Sequence, residues 1–324
     1  MDIFIKKAYI HQFRPDQLEI AIAKQSILLT PKIDEYLRRK IEGVYSADAK
    51  TGMFEETHSF MQERKDDLLE ESIRFVEKWR PVFIESEKQK VNDLIFIQYD
   101  KEGQEHFAFL RIALRESWVH GGTEEDKPLL LSQNNLPGFG SQPDEGFVLN
   151  LKSGKYHLLE KRIKVNGTFQ PYLSQEVLEI ETGLSAKKSI KEIEKTAEKI
   201  AQSFQEDDFQ FQSKLKSSIL KNLEKEDQLS PEALANDLFD QNLTAKLTFL
   251  DQVKDKVPEP IRFDEIDSSK QIKKYENQKL SLSNGIELIV PNHVYQDAES
   301  VEFIQNDDGS YSILIKNIQD IQNK

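Results

Sequence analysis

Residues 93–114, DLIFIQYDKEGQEHFAFLRIAL, decide the fold class. Both halves, DLIFIQYD and EHFAFLRIAL, are rich in β-branched and aromatic residues, the composition of strands, and KEGQ separates them by the length of a hairpin turn. Downstream, FVLNL (147–151) and YHLLEKRIKV (156–165) flank KSGK as a second hairpin, and VNGT supplies a further turn. Upstream, DIFIKKAYIHQF (2–13) reads as another strand. Hairpins set among helices, without regular βαβ crossovers, indicate an α+β fold.

The helices announce themselves by caps and spacing. Thr30 precedes Pro31, and Ile33, Leu37, Ile41 and Val44 recur on one face, so residues 31–44 are expected to be helical. Residues 66–83 carry Leu69, Ile73, Val76 and Trp79 at helical spacing, with the helix expected to close near Pro81. From residue 185 to about 257 the character changes. Ile190, Ile193, Ala197, Ile200 and Phe204 form one stripe, Phe211, Leu215, Ile219 and Leu223 a second, and two shorter helices follow after Ser230-Pro231 and up to PEP (258–260). The chain then returns to strands around Asn284-Gly285 and Asp308-Gly309, both hairpin signals. A strand-rich N-terminal region with flanking helices, a central helical unit and C-terminal β-hairpins result. With 324 residues, the chain is long for one core, and two domains are expected, 1–183 and 184–324. The Gly/Pro-rich residues 120–146 between the hairpins read as a long surface loop.

Composition narrows the chemistry. There is no cysteine, which removes disulfides, thiolate metal sites and cysteine nucleophiles together and fits a reducing cytoplasm. No apolar run approaches a membrane span, and the N-terminal residues lack the pattern of an export signal, so no membrane partner is expected. The net charge of -13 repels polyanions at long range, yet within a Debye length of about 8 Å a few cations can override distant carboxylates.

Catalytic motifs are lacking. His11, His58, His106, His120, His157 and His293 are scattered without HExxH or G-x-S-x-G company, and PGFGSQP (137–143) lacks the Lys-Ser/Thr of a phosphate loop. No catalytic residue, metal or cofactor is assigned. Asp144, Glu145 and Lys152 could be drawn into a metal-dependent nuclease site, although Asn150 stands where a second strand carboxylate would be wanted. The two helices of residues 229–257 have the layout of a helix-turn-helix, but Lys246, Lys254 and Lys256 are interspersed with Asp251 and Asp255, and packing in a bundle explains the same periodicity.

Basic clusters are the remaining lead. Lys6 and Lys7, the run Arg38-Arg39-Lys40, and Lys161, Arg162 and Lys164 are the candidate nucleic-acid contacts, with Lys187-Lys188 near a helix start. At about 100° per residue, Arg38, Arg39 and Lys40 fan over about 200°. Only Arg38 and Arg39 stand clear of the apolar stripe, and Lys40 lies beside it.

IHQF (10–13), VYSADAKTGMF (44–54), LSLSNGIELIVPNHV (280–294) and VEFIQNDDGSYSILIKNI (301–318), in that order, resemble the bacterial nucleoid-associated protein family. The resemblance implies a nonenzymatic protein of the cytoplasm and nucleoid, associated with DNA or with proteins that act on it. It carries no catalytic or base-reading residues. The expectation is weak, sequence-independent DNA association through local basic patches, with contacts to chromosome proteins. Alternatives are an acidic adaptor for DNA-handling enzymes that touches no DNA, and the metal-dependent nuclease. An exposed face on the long central helices admits a homodimer.

Overall fold

In the computed structural model, Glu102 and Gly103 take left-handed backbone, φ 55° and 74°, which is what a two-residue turn matched to twisted strands requires. Around that turn the expected hairpin forms. The structure describes the chain except residues 87–89, 125–126, 166, 206–207, 227, 264–265, 321 and 323–324. It divides into two compact units, Met1–Ser185 and Ala186–Lys324.

The first unit contains β1 (Ile3–Arg14), β2 (Glu19–Ala21), α1 (Pro31–Val44), β3 (Lys50–Met53), α2 (Ser59–Glu63), α3 (Leu68–Ile84), β4 (Asn92–Lys101), β5 (Gln104–Ala113), β6 (Arg115–Glu124), β7 (Lys127–Asn135), β8 (Glu145–Asn150), β9 (Lys155–Leu159), β10 (Ile163–Val165) and β11 (Thr168–Gln170), followed by a π-helical turn, Leu173–Val177. Seven strands make an antiparallel sheet in the order β2-β1-β4-β5-β8-β9-β3. Alternation then sorts the side chains. Leu94, Phe96, Phe107, Phe109, Phe147 and Leu149 join Phe75, Trp79 and Phe83 of α3 in one core. Ile95, Ile97, Tyr99, Ala108, Leu110 and Val148 join Leu37, Ile41 and Val44 of α1 in the other. Both faces of the central strands are covered, so DLIFIQYD reads as an unbroken apolar run instead of an alternating one.

Gly146 permits the α1 contact. A Cβ there would lie 2.3 Å from Val44 Cγ2. On α3 the buried face differs from the expected stripe: Leu68, Glu71, Ser72, Phe75, Val76, Trp79 and Phe83 are buried, while Leu69 and Ile73 are half-buried. Glu71 and Ser72 turn inward because each has a partner, Arg74 for the carboxylate and His11 Nε2, 2.8 Å away, for the hydroxyl. The helix closes near Pro81, three residues beyond it: the proline sits on the exposed side, and α3 runs on to Ile84 with Phe83 stacked on Trp79, ring centroids 4.2 Å apart.

Two further expectations are corrected. The strand foreseen over 156–165 stops at Leu159, and Ile163–Val165 instead pairs with β11. Residues 120–124 and 127–135 belong to strands β6 and β7, paired as a ribbon where a loop was expected: Trp118 pairs with Ser132, Val119 with Leu131 and His120 with Leu130, before a bulge that follows His120.

The second unit holds α4 (Ala186–Ser203), α5 (Asp208–Glu226), β12 (Gln228–Leu229), α6 (Pro231–Leu238), α7 (Leu243–Lys254), β13 (Ile261–Arg262), α8 (Ser269–Tyr275), β14 (Asn277–Ser281), β15 (Glu287–Pro291), α9 (Asn292–Tyr295), β16 (Val301–Gln305) and β17 (Tyr311–Ile315). The stripes on α4 and α5 are buried as spaced, except that Phe204 lies past the end of α4 and is part-exposed. Helices α4 to α7 pack on one another, with Ser230 capping α6 and Asn242 capping α7 through their side chains. That packing is the bundle explanation of the helix pair in residues 229–257. Strand pairs β14–β15 and β16–β17 are the C-terminal hairpins. Among the described residues no helix is long and apolar enough to cross a membrane.

Candidate nucleic-acid interface

Helix α1 starts where Thr30 Oγ1 accepts the Ile33 amide and buries Leu37, Ile41 and Val44 against the sheet. Arg38 and Arg39 consequently point outward, with side chains 44% and 59% exposed. Each has a carboxylate within one turn. Arg38 is 2.5 Å from Asp34, and Arg39 is 3.4 Å from Glu42. Lys40 faces inward and is fully buried. Its Nζ donates to Gly138 O at 2.7 Å, Ser141 O at 2.6 Å and Ser141 Oγ at 2.9 Å, over the ring of Tyr36. Burial, and after it the charge of Arg115, weakens the hold of Lys40 on its proton.

Segment 137–144 links α1 to a second group. The Tyr36 hydroxyl donates to Pro137 O, and Gln142 Nε2 donates to Gly43 O. Asp144 accepts the Ala113 amide on one oxygen and Lys161 Nζ, at 2.7 Å, on the other. Burial resists ionisation of Asp144, but the Lys161 and Ala113 hydrogen bonds outweigh it and hold the carboxyl below its ordinary range. Arg162, next along, is exposed and makes no ion pair with a described residue, while Lys164 on β10 is half-buried.

The two β1 lysines lie elsewhere. Lys6 binds Asp100 at 2.9 Å and Glu105 at 3.1 Å, beside the β4–β5 turn. Their hydrogen bonds raise the Lys6 pKa. Asp144 and Lys161 sit at the opposite end of β5, eight residues from Glu105 to Ala113, or about 26 Å at about 3.3 Å per residue. Lys7 lies 3.5 Å from Asp67, the N-cap of α3, and over the Tyr9 ring, on the face of the sheet away from α1. The eight residues thus occupy at least three separate places. Arg38, Arg39, Lys40 and Lys161 are joined by α1 and segment 137–144, and Lys6 and Lys7 stand apart.

The nuclease grouping is not brought together. Glu145 is fully buried and accepts Arg111 Nε at 2.6 Å and the Tyr172 hydroxyl at 2.5 Å. Lys152 lies beyond the far end of β8, about 20 Å from Glu145 along the strand, and its amide donates to Asn150 Oδ1. Asn150 therefore shapes a turn.

Sequence reasoning missed the carboxylates that neutralise the candidate cations. Asp34 four residues before Arg38 and Glu42 three after Arg39 were readable as helix pairs. Asp100, Glu105 and Asp67, by contrast, reach Lys6 and Lys7 only through the sheet.

With this geometry established, a family model described as nucleoid-associated protein YejK matches residues 9–322, and the chain belongs to that family. Membership places it at the nucleoid, in the cytoplasm. Individually curated proteins give no match.

Proposed function

From membership of this family, we propose that the chain acts as a nonenzymatic nucleoid protein that touches DNA weakly and without sequence preference, and that contacts to chromosome proteins hold it in place. The supporting observation is the outward pair Arg38 and Arg39 on α1, with Arg162 as a further exposed cation. Exposed ion pairs are worth only about 0–1 kcal/mol, so a phosphate can displace Asp34 or Glu42 at little cost. The same carboxylates keep the local field near neutral, and long-range attraction is lacking in a chain of net charge -13. Affinity therefore stays low, and protein contacts supply the rest. No cofactor enters this role.

Charge reversal tests the reading. Arg38→Glu, Arg39→Glu and Arg162→Glu combined should abolish retention of the purified chain on random-sequence duplex DNA at low salt, with thermal unfolding unchanged. Retention equal to that of the unmodified chain would overturn it.

A further inference from the structure

Within the second unit, α5 and α6 on one side and β14, β15 and α9 on the other line a cleft of about 790 Å³, a volume typical of ligand sites. Helical spacing makes the α5 wall, because Lys214, Ser217, Ser218, Lys221 and Glu224 fall along one face. The lysines there are already engaged. Lys214 Nζ donates to Leu238 O at 3.0 Å and to Asp240 at 3.2 Å, and Lys221 lies 3.1 Å from Asp237, which also accepts the Ser218 hydroxyl at 2.8 Å. Glu224 and Glu276, both exposed at the rim, pair with no cation among the described residues. His293 shares that rim.

The buried wall of the cleft includes Asn292, 5% exposed. Its Oδ1 accepts the Ser217 hydroxyl at 2.8 Å and Gln278 Nε2 at 2.9 Å. Gln278 Nε2 also donates to Ser213 O, a group that can only accept, so the Asn292 atom facing it is the oxygen. The Asn292 amide is thereby held in one orientation. Its Nδ2 has no acceptor among the described residues and is not sealed from solvent, which turns it toward the cleft. An amide donor left unpaired at such depth is costly until something accepts from it.

The cleft therefore calls for a cation at the rim and a hydrogen-bond acceptor at its buried wall. A nucleic-acid phosphate supplies the acceptor but is repelled by the two carboxylates. A peptide bearing lysine or arginine supplies both, through a main-chain carbonyl and its side chains. We propose that this cleft binds a basic peptide segment of a partner protein, with a main-chain carbonyl on Asn292 Nδ2 and cationic side chains at Glu224 and Glu276. The inference rests on the protein contacts of the function proposed above and gives them a chemistry, which the net charge of -13 favours at long range.

Anisotropy of a labelled peptide of repeating Gly-Lys, titrated with the full chain, tests the site. Binding should saturate at one peptide per chain and weaken about tenfold in Glu224→Gln with Glu276→Gln, two exposed positions whose substitution leaves thermal unfolding unchanged. Asn292→Asp keeps the oxygen that Ser217 and Gln278 need and replaces the donor with an anionic oxygen. It should weaken binding about tenfold, whereas general attraction to an acidic surface would tighten it. No saturable binding, binding unchanged in the rim variant, or binding to Asn292→Asp as tight as to the unmodified chain each overturns the proposal. Arg38, Arg39 and Arg162 belong to the first unit, so DNA retention measured alongside separates the two readings: a chain that holds DNA but not the peptide loses this site alone.

Discussion

Arg111→Met should destabilise the first unit severely. Arg111 lies on β5 with its side chain 8% exposed, over Phe83 of α3. Its Nε donates to Glu145 Oε2 at 2.6 Å, its other guanidinium nitrogen to Asn92 Oδ1 at 2.8 Å, and its plane lies over Phe83. The Tyr172 hydroxyl donates to the same Glu145 oxygen and accepts Trp79 Nε1 at 2.9 Å. Burial disfavours the Arg111 charge, but the Glu145 carboxylate more than compensates and holds its proton more tightly than usual. Methionine keeps most of the stem volume and leaves Glu145 a buried anion with Tyr172 as its one donor, since its second oxygen has no partner even now. Breaking a buried pair costs about 3–5 kcal/mol, and the surviving Tyr172 bond sets the expectation at about 3–4 kcal/mol. Adding Glu145→Gln removes the stranded charge, so the double variant should recover about 1–2 kcal/mol. Urea unfolding followed by tryptophan emission is the assay. Of the two tryptophans, Trp79 is buried in this network and Trp118 is already mostly exposed, so the signal reports the core. A loss below about 1 kcal/mol, or a double variant weaker than the single one, would refute the reasoning.

Stability should also fall in mild acid through His11, which is fully buried, accepts the Ala23 amide at Nδ1 and has burial lowering its pKa to about 4 from 6.5. Neutral in both states above pH 6.5, it takes up a proton first in the unfolded chain as pH falls toward 4, so about 3 kcal/mol of stability is lost over that window. His11→Gln should flatten this part of the pH–stability curve, and an unchanged slope between the two proteins would exclude His11 as its source. Gly146→Ala places a methyl 2.3 Å from Val44 Cγ2 and should cost about 1–3 kcal/mol as α1 is pushed off the sheet, read as a lower urea midpoint. Pairing it with Val44→Ala should restore part of the loss, which a merely conformational effect at residue 146 would not allow.

Local signals carried most of the fold. The Thr30-Pro31 start of α1, the Glu102-Gly103 turn and the α4 and α5 stripes are short-range physics, and each stands where the residues put it. What the sequence hid depends on partners distant along the chain. The α3 face is turned by the His11–Ser72 bond, made across 61 residues. Strands β6 and β7 were hidden by Gly121, Gly122 and the acidic sequence after them, which read as a loop although the register of β6 on β7 is regular up to the bulge. For the candidate interface, the outward pair Arg38-Arg39 and the inward Lys40 followed from the helical angle alone. The separation of Lys6 and Lys7 from α1 did not, because only the sheet order sets it.

The central claim, that a few exposed arginines give this acidic chain a weak hold on DNA, is tested most directly by anisotropy of a random-sequence duplex titrated between about 50 and 200 mM salt. If Arg38, Arg39 and Arg162 are the phosphate contacts, log K should fall linearly with log salt, with a slope of about -2 to -3, since each contact contributes about -0.9. Binding that persists with no slope, or a slope steeper than about -5, would contradict it.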